Sequence, residues 1–270
     1  KLFQRLDNKR FLGVGLGALT SAVLHSSAIT TVMVVGFVNS GVMALAEAVT
    51  IIMGANIGTT FTALVAALGT SFDFMAYATV LTLVGMMMCS IAKKDKWRNV
   101  GYMVAGLGLI FVSLQFMQAA VEPIKQSEEV RNFVASVTNP FLMLLVGMVL
   151  TFVLQSSTAL TTILISMADV FCVSLGGNPS ITNAVLFIIL GSNIGTCFTT
   201  IIASVGANTN AKRAAFLHLL FNVLGSVLFF ILLVCWPDFS TVTLGSWLPG
   251  KPALQIAVFH TIFNTSCTLI

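Results

Sequence analysis

Two short polar motifs occur twice in this chain and in the same order. HSSAITT at 25–31 is followed by GANIGTT at 54–60, and QSSTALTT at 155–162 is followed by GSNIGTC at 191–197. The second copy carries about seven more residues between its motifs, around Gly176, Gly177, Asn178 and Pro179, an insertion that repeat architectures accept in loops. The chain is a duplication, so its fold must accommodate two similar units. Each motif is rich in hydroxyls and broken by glycine, yet it is flanked by apolar runs such as 11–24 and 141–154. A duplicated polar centre inside apolar sequence points to a membrane transporter built from two repeats.

Composition excludes the soluble classes. Apolar residues make up 57% of the 270 and charged residues 8%, too few to cover the surface of a soluble domain of this size. A membrane β-barrel would show strict alternation in segments of about ten residues, whereas 100–120 and 214–236 are continuous apolar runs. The expected fold is an all-α polytopic membrane protein with two inverted-topology repeats, re-entrant helical hairpins and broken helices. The runs 74–92, 100–120 and 214–236 are long enough to cross hydrocarbon. The runs 11–24 and 141–154 are too short and suit half-helices or hairpins buried in protein. The cysteines, at 89, 172, 197, 235 and 267, are scattered and read as small core residues rather than disulfides or metal ligands.

Charge orients the spans. Lys93, Lys94, Lys96 and Arg98 form a basic loop that belongs in the cytoplasm. Counting crossings outward from it puts Asp73, Glu122, Glu128 and Glu129 outside. If each repeat crosses an odd number of times, every basic residue except Lys125, Arg131 and Lys251 falls inside. The repeats are then inverted relative to each other. The corresponding divisions are a first repeat at 1–92, a cytoplasmic loop at 93–98 and a second repeat at 99–235. The second repeat includes a preceding helix at 100–120 and an extracellular linker at 121–139. An extracellular loop at 236–252 and a final helix at 253–270 follow. No helix equivalent to 100–120 precedes the first repeat and the last apolar run stops at Ile270, so a longer parent protein is expected.

The serine motifs follow interrupted apolar segments, where a new helix can start. Ser26, Ser27, Ser156, Ser157 and Thr158 are then placed to cap helix N-termini, whose unpaired N–H groups and partial positive charge favour anions. In the NIGT motifs, Asn56 and Asn193 stand beside Gly58 and Gly195. Unwound carbonyls there, with Thr59, Thr60 and Thr196, would suit a hard monovalent cation such as sodium. Thr31, Thr161 and Thr162, which close the serine motifs, are candidates for the same cation sites, as are Gln155 and Asn193. No lysine or arginine lies in the expected membrane core. A multivalent anion bound there would have only dipoles and hydroxyls as partners, and co-bound cations would offset that cost.

The serine motifs, the paired G-x-N-I-G-T sequences and the stretches RAAFLHLLFN (213–222) and AVFHTIFN (257–264) resemble the type II sodium-dependent phosphate cotransporters, bacterial branch. The resemblance implies a secondary active transporter that couples inward sodium flux to uptake of inorganic phosphate. Phosphate would be held between the two serine motifs near the membrane midplane, with sodium ions close by, and access would alternate by an elevator-like movement. It also implies a homodimer in the lipid bilayer of the cell's inner (plasma) membrane, with no cofactor beyond sodium as coupling ion and no nucleic-acid partner. By position, Gln155, Ser156, Ser157 and Thr158 match the family's Q-S-S-S, and Asn56 and Asn193 match its motif asparagines. The first copy departs from that pattern, with His25 in place of glutamine and Ala28 in place of a hydroxyl. His25 either keeps the amide's hydrogen-bonding role or adds a titratable proton to a phosphate-binding set.

Aligned in sequence, 213–222 falls on 74–83, so that His218 and Asn222 stand against Ala78 and Thr82. His218 and His260 each precede an asparagine by four residues on one helical face, as hydrogen-bonding pairs would. Glu47 and Asp169 are acids in apolar surroundings, either functional or at hairpin ends near water. An intramembrane serine hydrolase is the enzyme-class alternative. It is disfavoured because the serines come in duplicated pairs and Gln155 cannot act as a base. A transporter or channel for another small anion (sulfate, arsenate or a carboxylate) is the closer alternative.

Overall fold

In the computed structural model, residues 10–71, 74–136, 139–175 and 178–269 are described. The basic stretch 1–9, Asp73, Gly176 and Gly177 lie outside them. The chain is almost entirely helical. Helices α1 (Arg10–Leu24), α2 (Ser27–Asn39) and α3 (Leu45–Ser71) form the first unit. Then come α4 (Phe74–Ile91), α5 (Asp95–Gln126) and the short α6 (Glu128–Ser136). The second unit is α7 (Pro140–Leu154), α8 (Ser157–Ser166) and α9 (Asn183–Ala203), followed by α10 (Thr209–Cys235), α11 (Gly245–Trp247) and α12 (Pro252–Leu269). Helices α3, α5, α9 and α10 are long and apolar enough to cross a membrane.

The duplication is visible in how helices touch. Helix α1 packs along α3 and α7 along α9, and in both pairs the backbones meet at glycine. A Cβ on Gly17 would run into the Ile51 carbonyl, and one on Gly147 into the Ile188 carbonyl. Gly54 and Gly191 abut the carbonyls of Val14 and Leu144, and Gly58 and Gly195 those of Ala18 and Met148. Small residues at such contacts let apolar helices approach closely where lipid offers no hydrophobic drive. This corrects the expectation of unwound NIGT motifs. Both lie inside continuous helices, and their glycines are spent on helix–helix contact rather than on a backbone break.

The halves interlock. Helix α2 packs on α9 and α8 on α3, so each motif helix touches the serine-capped helix of the other half. Helix α10 lies along α9 with contacts to α3 and α2, whereas α12 lies along α3 with contacts to α8 and α9. The hydroxyl of Ser226 in α10 donates to the Leu190 carbonyl at 3.1 Å, and that of Thr268 in α12 donates to the Met53 carbonyl at 3.3 Å. Asn222 Nδ2 donates to the His218 carbonyl and Asn264 Nδ2 to that of His260, both at 2.9 Å. In space the counterpart of His218 is therefore His260, not Ala78. Helix α4 instead pairs with α5, meeting it at Gly85, Gly101 and Gly108.

Asparagine and glutamine side chains fix the helix ends. Asn208 caps α10, accepting from Ala211 N at 2.9 Å, and its own N–H donates to Asn39 Oδ1 at the end of α2, 2.7 Å away. Asn183, in the first turn of α9, donates to the carbonyls of Leu233 and Trp236 at the end of α10. Gln255 Oε1 in α12 accepts from Ile181 N at 2.9 Å. Ile181 belongs to a two-stranded antiparallel hairpin, Cys172–Leu175 with Asn178–Ile181, which the sequence reading did not anticipate. Helix α5 also outruns its apolar stretch at both ends. Asp95 in its first turn pairs with Arg98 at 2.7 Å and Lys125 stands in its last turn, charges that suit the helix dipole.

Candidate functional site

Each half contains one break of the same geometry. After α1 and α7 the chain turns at His25 (φ 51°) and Gln155 (φ 54°), the only non-glycine residues with positive φ among the described residues. A left-handed residue with a side chain costs roughly 1–2 kcal/mol, and such outliers concentrate at functional sites. The next residues, Ser26 (φ −155°, ψ 114°) and Ser156 (φ −152°, ψ 108°), are extended N-caps. Ser26 Oγ accepts from Ile29 N at 3.2 Å and Ser156 Oγ from Ala159 N at 3.1 Å. Ser27 and Ser157, the first helical residues, are buried. Each break thus ends in a serine-capped helix N-terminus of the kind that attracts anions.

The two caps have different surroundings. His25 Nδ1 lies 2.9 Å from Thr62 Oγ1 of α3, whereas Gln155, at the matching place, is exposed. Thr158 offers its carbonyl to the Thr162 hydroxyl at 2.7 Å. Thr59, Thr60 and Thr196 return their hydroxyls to carbonyls of their own helices, those of Ala55, Ile57 and Ser192. All three are buried but not grouped around an opened backbone.

The asparagines diverge as well. Asn56 Nδ2 donates across the halves to Asn222 Oδ1 at 3.3 Å. Asn193 Nδ2 instead turns back to the Ile189 carbonyl of its own helix at 2.8 Å.

A second polar cluster joins the halves, and the sequence reading missed its centre, Thr200. Thr31 Oγ1 of α2 lies 2.9 Å from Thr200 Oγ1 of α9, which is 3.2 Å from His218 Nδ1 of α10. Thr31 also donates to the Ala28 carbonyl at 3.0 Å. Thr200 looked like one hydroxyl among several after GSNIGTC, and only the approach of α2 from the other half reveals it. Glu47 proves to be local, since its Oε2 accepts from Ala44 N at 3.0 Å and caps the start of α3. Asp169 is exposed at a 3-10 turn (Ala168–Phe171), its carboxylate 4.0 Å from Lys125 Nζ. Nearby, burial pushes the Cys172 thiol up to about 11, with Asp169 adding to the shift.

Comparison with known proteins assigns the family. The model of the Na+/Pi-cotransporter family matches residues 1–119 and 121–245, nearly the whole chain. The chain belongs to the Na+/Pi-cotransporter family. Along its full length it is 30% identical to the uncharacterized protein YqeW of Bacillus subtilis, covering 81% of that protein. Over 97% of its length it is 28% identical to the "Putative inorganic phosphate export protein YjbB" of Escherichia coli, covering 46% of that longer protein. A 74-residue stretch is 36% identical to the mouse "Sodium-dependent phosphate transport protein 2C", or 12% of the mouse protein. No solved structure matches. A Na+/Pi-cotransporter family chain is a membrane transporter rather than an enzyme, which removes the hydrolase alternative.

Proposed function

We propose that the protein is a sodium-coupled transporter of inorganic phosphate, with the anion held between the serine-capped N-termini of α2 and α8. The observation that carries this reading is the pair of equivalent breaks. Two left-handed residues and two extended serine caps recur at matched places in a family named for phosphate and sodium. Ser26, Ser27, Ser156, Ser157 and Thr158 supply hydroxyls and N–H groups, with His25 and Gln155 flanking them and Asn56 and Asn193 behind. No fixed positive charge is needed if sodium ions bind with phosphate, and the coupling follows from that electrostatic requirement.

The inverted arrangement has a structural correlate. Helix α2 ends beside the C-terminal end of α9 through the Asn39–Asn208 contact, whereas α8 leads through the β-hairpin into the N-terminal end of α9. Helices α2 and α8 thus leave their breaks toward opposite ends of one spanning helix, as inverted repeats require. The α4–α5 pair meets the remainder mainly where α5 touches α3 and α8, a division that suits a scaffold against which a core moves in an elevator-like cycle. A homodimer in the inner membrane completes this reading.

The name of YjbB favours a second reading on one point, the direction of transport. Export would use the same site, with the cation gradient working against phosphate efflux or absent from it. Uptake of labelled phosphate into proteoliposomes of the full-length protein, with sodium gradients of either direction and sulfate as competitor, separates these cases. Stimulation by inward sodium supports the proposal. Indifference to sodium rejects the coupling, and competition by sulfate rejects phosphate as the selected anion.

A further inference from the structure

The polar cluster around Thr200 has a counterpart in the other half, and the counterpart is incomplete. Thr31 corresponds to Thr161, His218 to His260, Asn222 to Asn264 and Asn56 to Asn193. The position of Thr200 is taken by Ala63 of α3. Ala63 lies in one core cluster with Leu160 and Leu164 of α8 and with Ala257, Phe259 and Phe263 of α12, so the three helices meet there. A methyl group now stands where a hydroxyl joins the threonine to the histidine in the twin. Thr161 Oγ1 and His260 Nδ1 are left buried without a partner.

The asparagines extend the gap. Asn222 Oδ1 receives Asn56 Nδ2, but Asn193 Nδ2 is turned back to Ile189, so Asn264 Oδ1 is unpartnered as well. Asn264 Nδ2 donates to the His260 carbonyl, which fixes the amide with its oxygen directed away from its own helix turn. Thr161, His260 and Asn264 are each only 1% exposed. Each unpartnered buried polar atom costs about 1–3 kcal/mol, and here all three belong to residues equivalent to those bonded in the other half.

We infer that Thr161, His260 and Asn264 form a binding site for one sodium-sized monovalent cation, whereas Thr31, Thr200, His218 and Asn222 form a structural tie in which His218 Nε2 alone lacks a partner. The inference rests on the sodium-coupled reading above. All three unpartnered atoms can present lone pairs, two of them on oxygen, as a hard monovalent cation requires. Thr161 stands five residues after the N-cap Ser156, so the site lies about 7.5 Å along α8 from the serine cap. A cation there offsets the charge of an anion at that cap, and the anion in turn holds the cation. Thr31 and Thr161 therefore differ in function despite their matched positions in the sequence.

The test is thermal unfolding of the purified full-length protein without phosphate, in sodium, potassium or choline chloride at equal ionic strength. Sodium should raise Tm by an increment that grows with the logarithm of its concentration, and the other two salts should not. Thr161→Val, which keeps the shape and removes the hydroxyl, should abolish that increment. Ala63→Thr supplies the twin's hydroxyl and should abolish it too, giving a second variant should the first fold poorly. Thr31→Val should lower Tm in every salt yet keep the sodium increment. Equal Tm values for the unaltered protein in all three salts would mean that water alone fills the gap, and would overturn the inference. A sodium increment that survives Thr161→Val and Ala63→Thr would overturn it as well. Sodium-driven phosphate uptake in proteoliposomes alongside either result leaves the proposed function standing and removes only this site.

Discussion

The break at His25–Ser26 and the break at Gln155–Ser156 are near copies in backbone, yet the helices around them are tied differently. In the first half His25 is held to Thr62, and Asn56 reaches across to Asn222. In the second half Gln155 is exposed, and Asn193 folds back on its own helix. The hydroxyl of Thr200 joins α2, α9 and α10, while Ala63 leaves α3, α8 and α12 without the equivalent tie. Backbone geometry and glycine contacts are the shared inheritance of the two halves, and the polar side chains behind them have specialised. On the proposed sodium-coupled reading, such specialisation assigns one place to structure and the other to a passing ion.

The largest expected effect tests what the halves share. Gly54→Val and Gly191→Val should each abolish the folded, monodisperse protein, because the new side chain meets the carbonyl of Val14 or Leu144. Alanine at either place should cost about 1–3 kcal/mol, read as a fall in Tm. Gly36→Ala, where nothing lies within 4 Å, should leave the fold intact. If one half tolerates valine and the other does not, the shared packing is not shared in energy.

The caps come next. Ser26→Ala and Ser156→Ala should each weaken phosphate binding by about 1–3 kcal/mol, raising the phosphate concentration for half-maximal uptake about 5- to 150-fold. A penalty confined to Ser156→Ala would make the anion site one-sided. Thr200→Val probes the difference between the halves. It leaves His218 Nδ1 unpartnered, as His260 Nδ1 is, and leaves Thr31 Oγ1 only its bond to the Ala28 carbonyl, and should lower stability by about 1–3 kcal/mol in thermal unfolding. An unchanged Tm would show that the tie contributes little.

Several of these features were legible in the chain. The apolar runs and the hydroxyl pairs gave the helical membrane fold and the two breaks, because a short apolar run followed by Ser-Ser can hardly end in any other way. The NIGT glycines were ambiguous, since glycine serves both a broken helix and a close contact, and only the presence of α1 or α7 alongside decides. The partner of α3 was hidden for a different reason. Sequence order offered α4, whereas α12, almost two hundred residues further on, occupies the place. HLLFN and HTIFN carried the signal, being similar to each other and not to 78–82, but a comparison confined to consecutive repeats passes over it. Thr200 was invisible as a special residue until the helix from the other half was seen against it.

The smallest effect is expected at His25, where the two breaks differ most plainly in sequence. Its ring contributes one hydrogen bond, to Thr62 Oγ1, from a left-handed backbone position that Gln155 occupies equally well. His25→Gln should therefore fold normally and keep stability within about 0.5 kcal/mol, because the amide can reach the same hydroxyl. What the substitution changes is the group presented beside the serine caps, an imidazole in the unaltered protein and an amide in the variant. A ring that contacts the anion would make His25→Gln raise the phosphate concentration for half-maximal uptake at fixed pH by about fivefold or less. Equal values for the two proteins would reduce His25 to a hydrogen-bonded equivalent of Gln155 and make the two breaks alike in chemistry as well as in backbone.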